Sequence, residues 1–150
     1  MSSDTVSVER TIQAPAADIF AIVSDAGRHQ EIDGSGTVRG TREPSRPLQL
    51  GSVFGMAMHM KVGYRTKNVV VEFEQDRRIA WQTSGLFGLI GGRIWRYELE
   101  PVGDGATLVR ETWDVSQDKQ RALLKRSKMP AAAKKGMRRT LERLEQVVAA

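Results

Sequence analysis

Glu111 is the residue that ordinary packing explains least well. Val109 and Trp113 flank it at two-residue steps, so strand alternation sends its carboxylate to the apolar side of a sheet. A buried carboxylate has to be paired, hydrogen-bonded or protonated. One reading makes Glu111 a ligand anchor or a general acid/base working with the Tyr97 hydroxyl. The other makes it a structural partner of an Arg or of a backbone donor, or turns it outward by a register slip. Structural pairing is the commoner fate of such a group.

Other chemistry-bearing types are scattered. His29 and His59 lie in different elements and lack ligand-like spacing to a second His or carboxylate, so no metal site is expected. Ser24-Asp25 with His29 is not a triad pattern, and no nucleophile elbow is present. Gly34-Ser35-Gly36 and the glycines between Gly85 and Gly92 have no P-loop lysine, so no nucleotide is expected either. With no cysteine in the chain, disulfides, thiolate metal sites and cysteine nucleophiles are excluded together. No cofactor is implied. The apolar, glycine-flanked stretch Leu86-Phe87-Gly88-Leu89-Ile90 suits a mobile lid, a packed loop or a dimer contact equally.

The elements that must position these groups follow from periodicity. Residues 6–12 alternate as a strand, and Pro15 opens a helix to about Ser24 with Ile19, Phe20 and Val23 on one face. One short helical turn and a loop fit residues 28–36. Period two then returns at 37–43, 52–60, 64–74, 78–83, 93–100 and 106–115, with turn residues between the runs. The short gaps predict an antiparallel meander. After a helical lead-in at 117–128, Ala133, Met137, Leu141, Leu144 and Val148 form a helical stripe. Pro130 places the start of that helix near Ala131, and from there to Ala149 it spans roughly 28 Å. The sum is one α+β domain over residues 1–150, about seven antiparallel strands curved around a long C-terminal helix, with two short helices after the first strand. A cavity between sheet and helix is expected.

Alternation assigns the cavity wall. In 52–60 the inward row is Phe54, Met56, Met58 and Met60, a deformable surface suited to irregular ligands and equally to ordinary core packing against Met137 and Leu141. In 64–74 it is Val69, Val71 and Phe73, with Glu72 and Glu74 in water. Trp81 and Thr83 share a face with Ile79; Trp95 and Tyr97 share one with Leu99; Glu111 shares one with Val109, Trp113 and Val115. All three tryptophans therefore fall on the inner side, as core or as pocket wall.

Length and charge bound the rest. The 150 residues, 40% hydrophobic and 27% charged, describe a globular chain whose apolar runs fall far short of a bilayer span. Met1-Ser2-Ser3-Asp4 has no basic or apolar leader character, so a cytoplasmic location without a signal peptide is expected. Of the net charge of +5, more than the whole lies after residue 117, where ten Lys/Arg face three acids. No aromatic residue occurs from Ser116 onward, and no nucleic-acid motif is present. The basic face therefore reads as the solvated side of a helix whose other side lies on the sheet.

The element order, Ala14-Pro15-Ala16 leading into Phe20, Glu98-Leu99-Glu100-Pro101 before a Gly-rich turn, and Thr107 to Val115 together resemble the helix-grip superfamily, also called START-like or SRPBCC. His29-Gln30-Glu31-Ile32-Asp33-Gly34-Ser35-Gly36 is similar to a subgroup of small actinobacterial members. The resemblance covers nearly the whole chain. It implies a cavity between sheet and terminal helix that takes hydrophobic ligands, and it carries no shared catalytic motif. Where many relatives have a Trp in the short second helix, this chain has His29 and Ile32, so its cavity mouth is expected to differ.

Three functions follow as expectations. The first is binding of a small hydrophobic molecule, lipid, polyketide or isoprenoid-like, by the residues assigned above. The second is a polyketide cyclase/dehydratase-type enzyme using Glu111 and Tyr97. The third is nucleic-acid or anionic-membrane binding through the basic helix. The expected partner is the small ligand, without nucleic acid or stable membrane insertion, and the chain is a monomer or homodimer.

Overall fold

The computed structural model describes residues 4–33, 38–40, 47–60, 62–85 and 90–149. The order is β1 (Thr5–Ile12), α1 (Ala16–Val23), a 3-10 turn Ala26–Arg28, α2 (His29–Ile32), β2 (Val38–Gly40), β3 (Val53–Met60), β4 (Val62–Glu74), β5 (Arg78–Gly85), β6 (Ile90–Pro101), β7 (Thr107–Asp114), α3 (Arg121–Arg126) and α4 (Met129–Ala149). The strands form one antiparallel sheet ordered β1-β7-β6-β5-β4-β3-β2, so the first strand closes against the last. It curves around α4 in the helix-grip arrangement.

The inner face is built by rows of residues that the register sets side by side. One row runs Val70, Trp81, Trp95, Trp113, Val6. The next runs Phe73, Ile79, Tyr97, Glu111, Val8. A third runs Phe54, Asn68, Thr83, Arg93. On the outer face Glu74, Arg78, Glu98, Arg110 and Glu9 alternate in sign across five strands, a polar surface that needs no cover.

The expected inward set of β4 is corrected. A bulge between Val70 and Glu72 gives the strand one extra residue, so Val70 is buried while Val71 is 38% exposed. Upstream of the bulge Asn68 points inward in place of Val69, and downstream Phe73 does, as expected. Alternation read through an unseen extra residue inverts every side chain before it.

The expected start of α4 also moves. The helix begins at Met129, with Pro130 in its first turn, where a missing N–H has no intrahelical acceptor to lose. Its buried stripe of Ala133, Met137, Thr140, Leu141 and Leu144 packs on β1, β7, α1 and α2. α1 contributes Ile19, Phe20, Ile22 and Val23 to the same core, with Phe20 edge-on to Phe73 at 5.6 Å. Among the described residues no helix is long and apolar enough to cross a membrane.

Candidate functional site

β7 turns Glu111 into the interior, where it is buried at 4% exposure. Its cross-strand neighbours are Tyr97 on β6 and Val8 on β1. Neither an arginine nor a backbone donor is paired with it among the described residues, and its Oε1 is buried without a hydrogen-bond partner. Burial raises its carboxyl pKa to about 8; the Tyr97 hydroxyl acts against that as a donor, and the nearby charge of Asp33 reinforces it. At neutral pH the group is therefore mainly an un-ionised acid. Tyr97 is also buried, and desolvation together with Glu111 pushes its phenol well above the ordinary range, so it keeps its proton.

Aromatic rings surround this pair. Trp81 lies 5.7 Å from Tyr97, stacks on His29 at 4.8 Å and meets Phe54 edge-on at 5.6 Å. His29 arrives from α2 and is itself edge-on to Phe54 at 5.4 Å. Its Nε2 lies 2.9 Å from the Val23 carbonyl oxygen, an acceptor, so the proton belongs on Nε2 and Nδ1 is left as a bare acceptor. Nδ1 has no partner, and burial lowers the imidazole pKa, which keeps the ring neutral. Trp113 Nε1, next to Glu111 on the inner side of β7, is a third buried polar atom without a partner.

A polar row borders the rings. Thr83 Oγ1 donates to Asn68 Oδ1 at 2.7 Å, and Asn68 Nδ2 donates to the Phe54 carbonyl at 3.3 Å. Trp95, flanked in its row by buried Trp81 and Trp113, keeps partial exposure, as do Thr83 and Phe73. In the same rows Val70, Ile79, Trp81 and Tyr97 are buried, so partial exposure alternates with full burial along β4 to β6.

Of the residues assigned from sequence, Phe54, Trp81, Tyr97, Trp113, Met137 and Leu141 are buried in one core with Phe73 and Trp95 packed against it, and Glu111 is buried between Tyr97 and Val8. Thr83 joins through Asn68, and Val71 is excluded by the bulge. The side chains of Met56, Met58 and Met60, and residues 86–89 of the Leu86–Ile90 stretch, lie outside the described residues, and Ile90 opens β6. Sequence reasoning missed Asn68 and Asp33 as members of the site, and reached His29 only as part of the cavity mouth that the resemblance implies. His29 and Ile32 fall three residues apart and are both buried, a helical spacing that was visible. Asn68 was hidden by the bulge. Among the described residues no three His, Cys, Asp or Glu side chains gather as metal ligands.

A curved antiparallel sheet wrapped around a long terminal helix is the helix-grip fold. The chain belongs to the family described as "Polyketide cyclase / dehydrase and lipid transport", which it matches over residues 3–149. It is 38% identical over 110 residues to the uncharacterised protein Rv0088 of Mycobacterium tuberculosis, covering 71% of this chain and 46% of the relative. The chain thus spans about half the length of that relative. A START superfamily protein from Mycobacterium smegmatis has the same fold at a TM-score of 0.70 and 18% identity, covering 97% of each chain. Protein MLL2253 from Mesorhizobium loti aligns at 0.68 and 19%, covering 97% of this chain and 96% of its own.

Proposed function

We propose that this chain holds one small hydrophobic molecule, lipid, polyketide or isoprenoid-like, on the inner face between the sheet and α4. The observation that carries the reading is a set of three buried polar atoms without partners, Glu111 Oε1, Trp113 Nε1 and His29 Nδ1, within an aromatic interior. Each unpaired group costs folding about 1–3 kcal/mol. Groups of that cost in a native interior call for an explanation, and a bound molecule with oxygen functions supplies one. The family description, naming polyketide cyclase/dehydrase and lipid transport, supports the same class. Native mass spectrometry of gently purified protein is expected to show a single co-purified apolar adduct at one copy per chain. A bare mass, together with failure to take up an added apolar fluorophore, contradicts the reading.

A second reading is favoured by one observation: the Glu111 carboxyl is buried across from Tyr97, where burial pushes its pKa up to about 8. Such an acid is suited to protonate a carbonyl or a departing hydroxyl oxygen, which is cyclase/dehydratase chemistry. With a synthetic poly-β-keto thioester as probe, Glu111→Gln is expected to slow cyclised or dehydrated product by roughly 10²–10⁴-fold. Product formed at the wild-type rate by that variant removes the mechanism.

A further inference from the structure

We propose that Arg93 is an anion receptor at the rim of the inner face, and that the molecule held there is an apolar acid whose carboxylate it binds. This rests on the binding reading above and names the chemistry of the ligand's outer end. Register places Arg93: the pairing Trp81 to Trp95 continues without a shift to Thr83 and Arg93, so Arg93 shares the inner side with Trp95 and Tyr97. Its side chain is 23% exposed, enough for a headgroup to reach it from solvent.

The guanidinium is oriented from one edge only. Nε donates to Asp118 Oδ2 at 3.1 Å, and the Asp118 side chain is fully buried. Asp118 Oδ1 accepts the Gln120 backbone N–H at 2.8 Å, so the carboxylate is itself fixed. Asp118 sits on a loop clasped against the start of β6. Lys119 N–H donates to the Gly91 carbonyl at 2.9 Å, and Gly91 N–H donates to Gln120 Oε1 at 3.1 Å. The approach is so close that a Cβ on Gly92 would lie 2.4 Å from the Gln117 carbonyl oxygen. Among the described residues nothing hydrogen-bonds the two terminal nitrogens of Arg93, and a guanidinium edge of that kind pairs bidentately with a carboxylate. Asp118 holds one edge of the guanidinium, and register puts Trp95 and Thr83 on the same side of the sheet as Arg93. An apolar chain then lies along the tryptophan row, with its acid at the rim.

Calorimetric titration with dodecanoate and dodecanol, below their aggregation limits, tests this. Wild type is expected to bind dodecanoate at least tenfold more tightly than dodecanol. Arg93→Gln is expected to lose that preference while keeping its dodecanol affinity, and Arg93→Lys to retain part of it. Should Arg93→Gln leave Asp118 unpaired and fail to fold, Arg93→Gln combined with Asp118→Asn replaces it. Equal affinities in wild type, or a preference that survives in the folded Gln variant, overturns the carboxylate assignment and leaves the binding reading standing. Failure of wild type to bind either probe overturns both.

Discussion

At the scale of single residues, the interior acid sets a definite pH response. Unfolded, Glu111 ionises near its ordinary value of 4.5; folded, it keeps its proton to about pH 8. Between those values the folded state binds more protons, so this group makes stability fall as pH rises. Glu111→Gln removes the titration. The variant is expected to melt close to wild type at pH 4.5 and above it at pH 8, by up to about 4 kcal/mol at roughly 1.4 kcal/mol per pKa unit. Equal melting of the two proteins at pH 8 would show that Glu111 is ionised and paired instead. Because the Tyr97 hydroxyl favours the charged form, Tyr97→Phe is expected to raise the Glu111 pKa further, read from the side-chain carboxyl carbon by NMR. A lowered value contradicts that coupling.

At the scale of elements, burial separates residues of the same type. Leu144, fully buried on α4, and Leu123, 70% exposed on α3, differ only in surroundings. Leu144→Ala is expected to cost about 2–5 kcal/mol in denaturant unfolding, and Leu123→Ala less than about 0.5. Gly91 has φ +107°, and a Cβ there would lie 2.5 Å from the Thr83 carbonyl oxygen. Gly91→Ala is therefore expected to cost at least about 2 kcal/mol, and a neutral result would contradict the close approach of β6 to β5 at that point. The elements themselves were legible in the sequence, because each strand carries period two and α4 carries a helical stripe. What alternation cannot reveal is an inserted residue. The bulge after Val70 leaves no mark in residue type, which is why Val71 read as inward and Asn68 was passed over. His29 is legible only in part: the resemblance puts it at the cavity mouth, while its stacking on Trp81 depends on how α2 folds back over the sheet.

At the scale of the whole molecule, charge and aromaticity are divided between surfaces. The outer face of the sheet carries alternating acids and bases, and Lys134, Lys135, Arg138 and Arg139 are exposed on α4. The three tryptophans lie in one row within the concave side. The row was legible because all three obey alternation. Which polar atoms it leaves unpaired was not, since that depends on packing from α2 and α4. The same row makes the central claim directly measurable. In a two-dimensional NMR titration with an apolar probe, the indole N–H signals of Trp81, Trp95 and Trp113 are predicted to shift together and saturate at one equivalent. Indole signals that stay fixed while only solvent-exposed α3 or α4 amides move would contradict it.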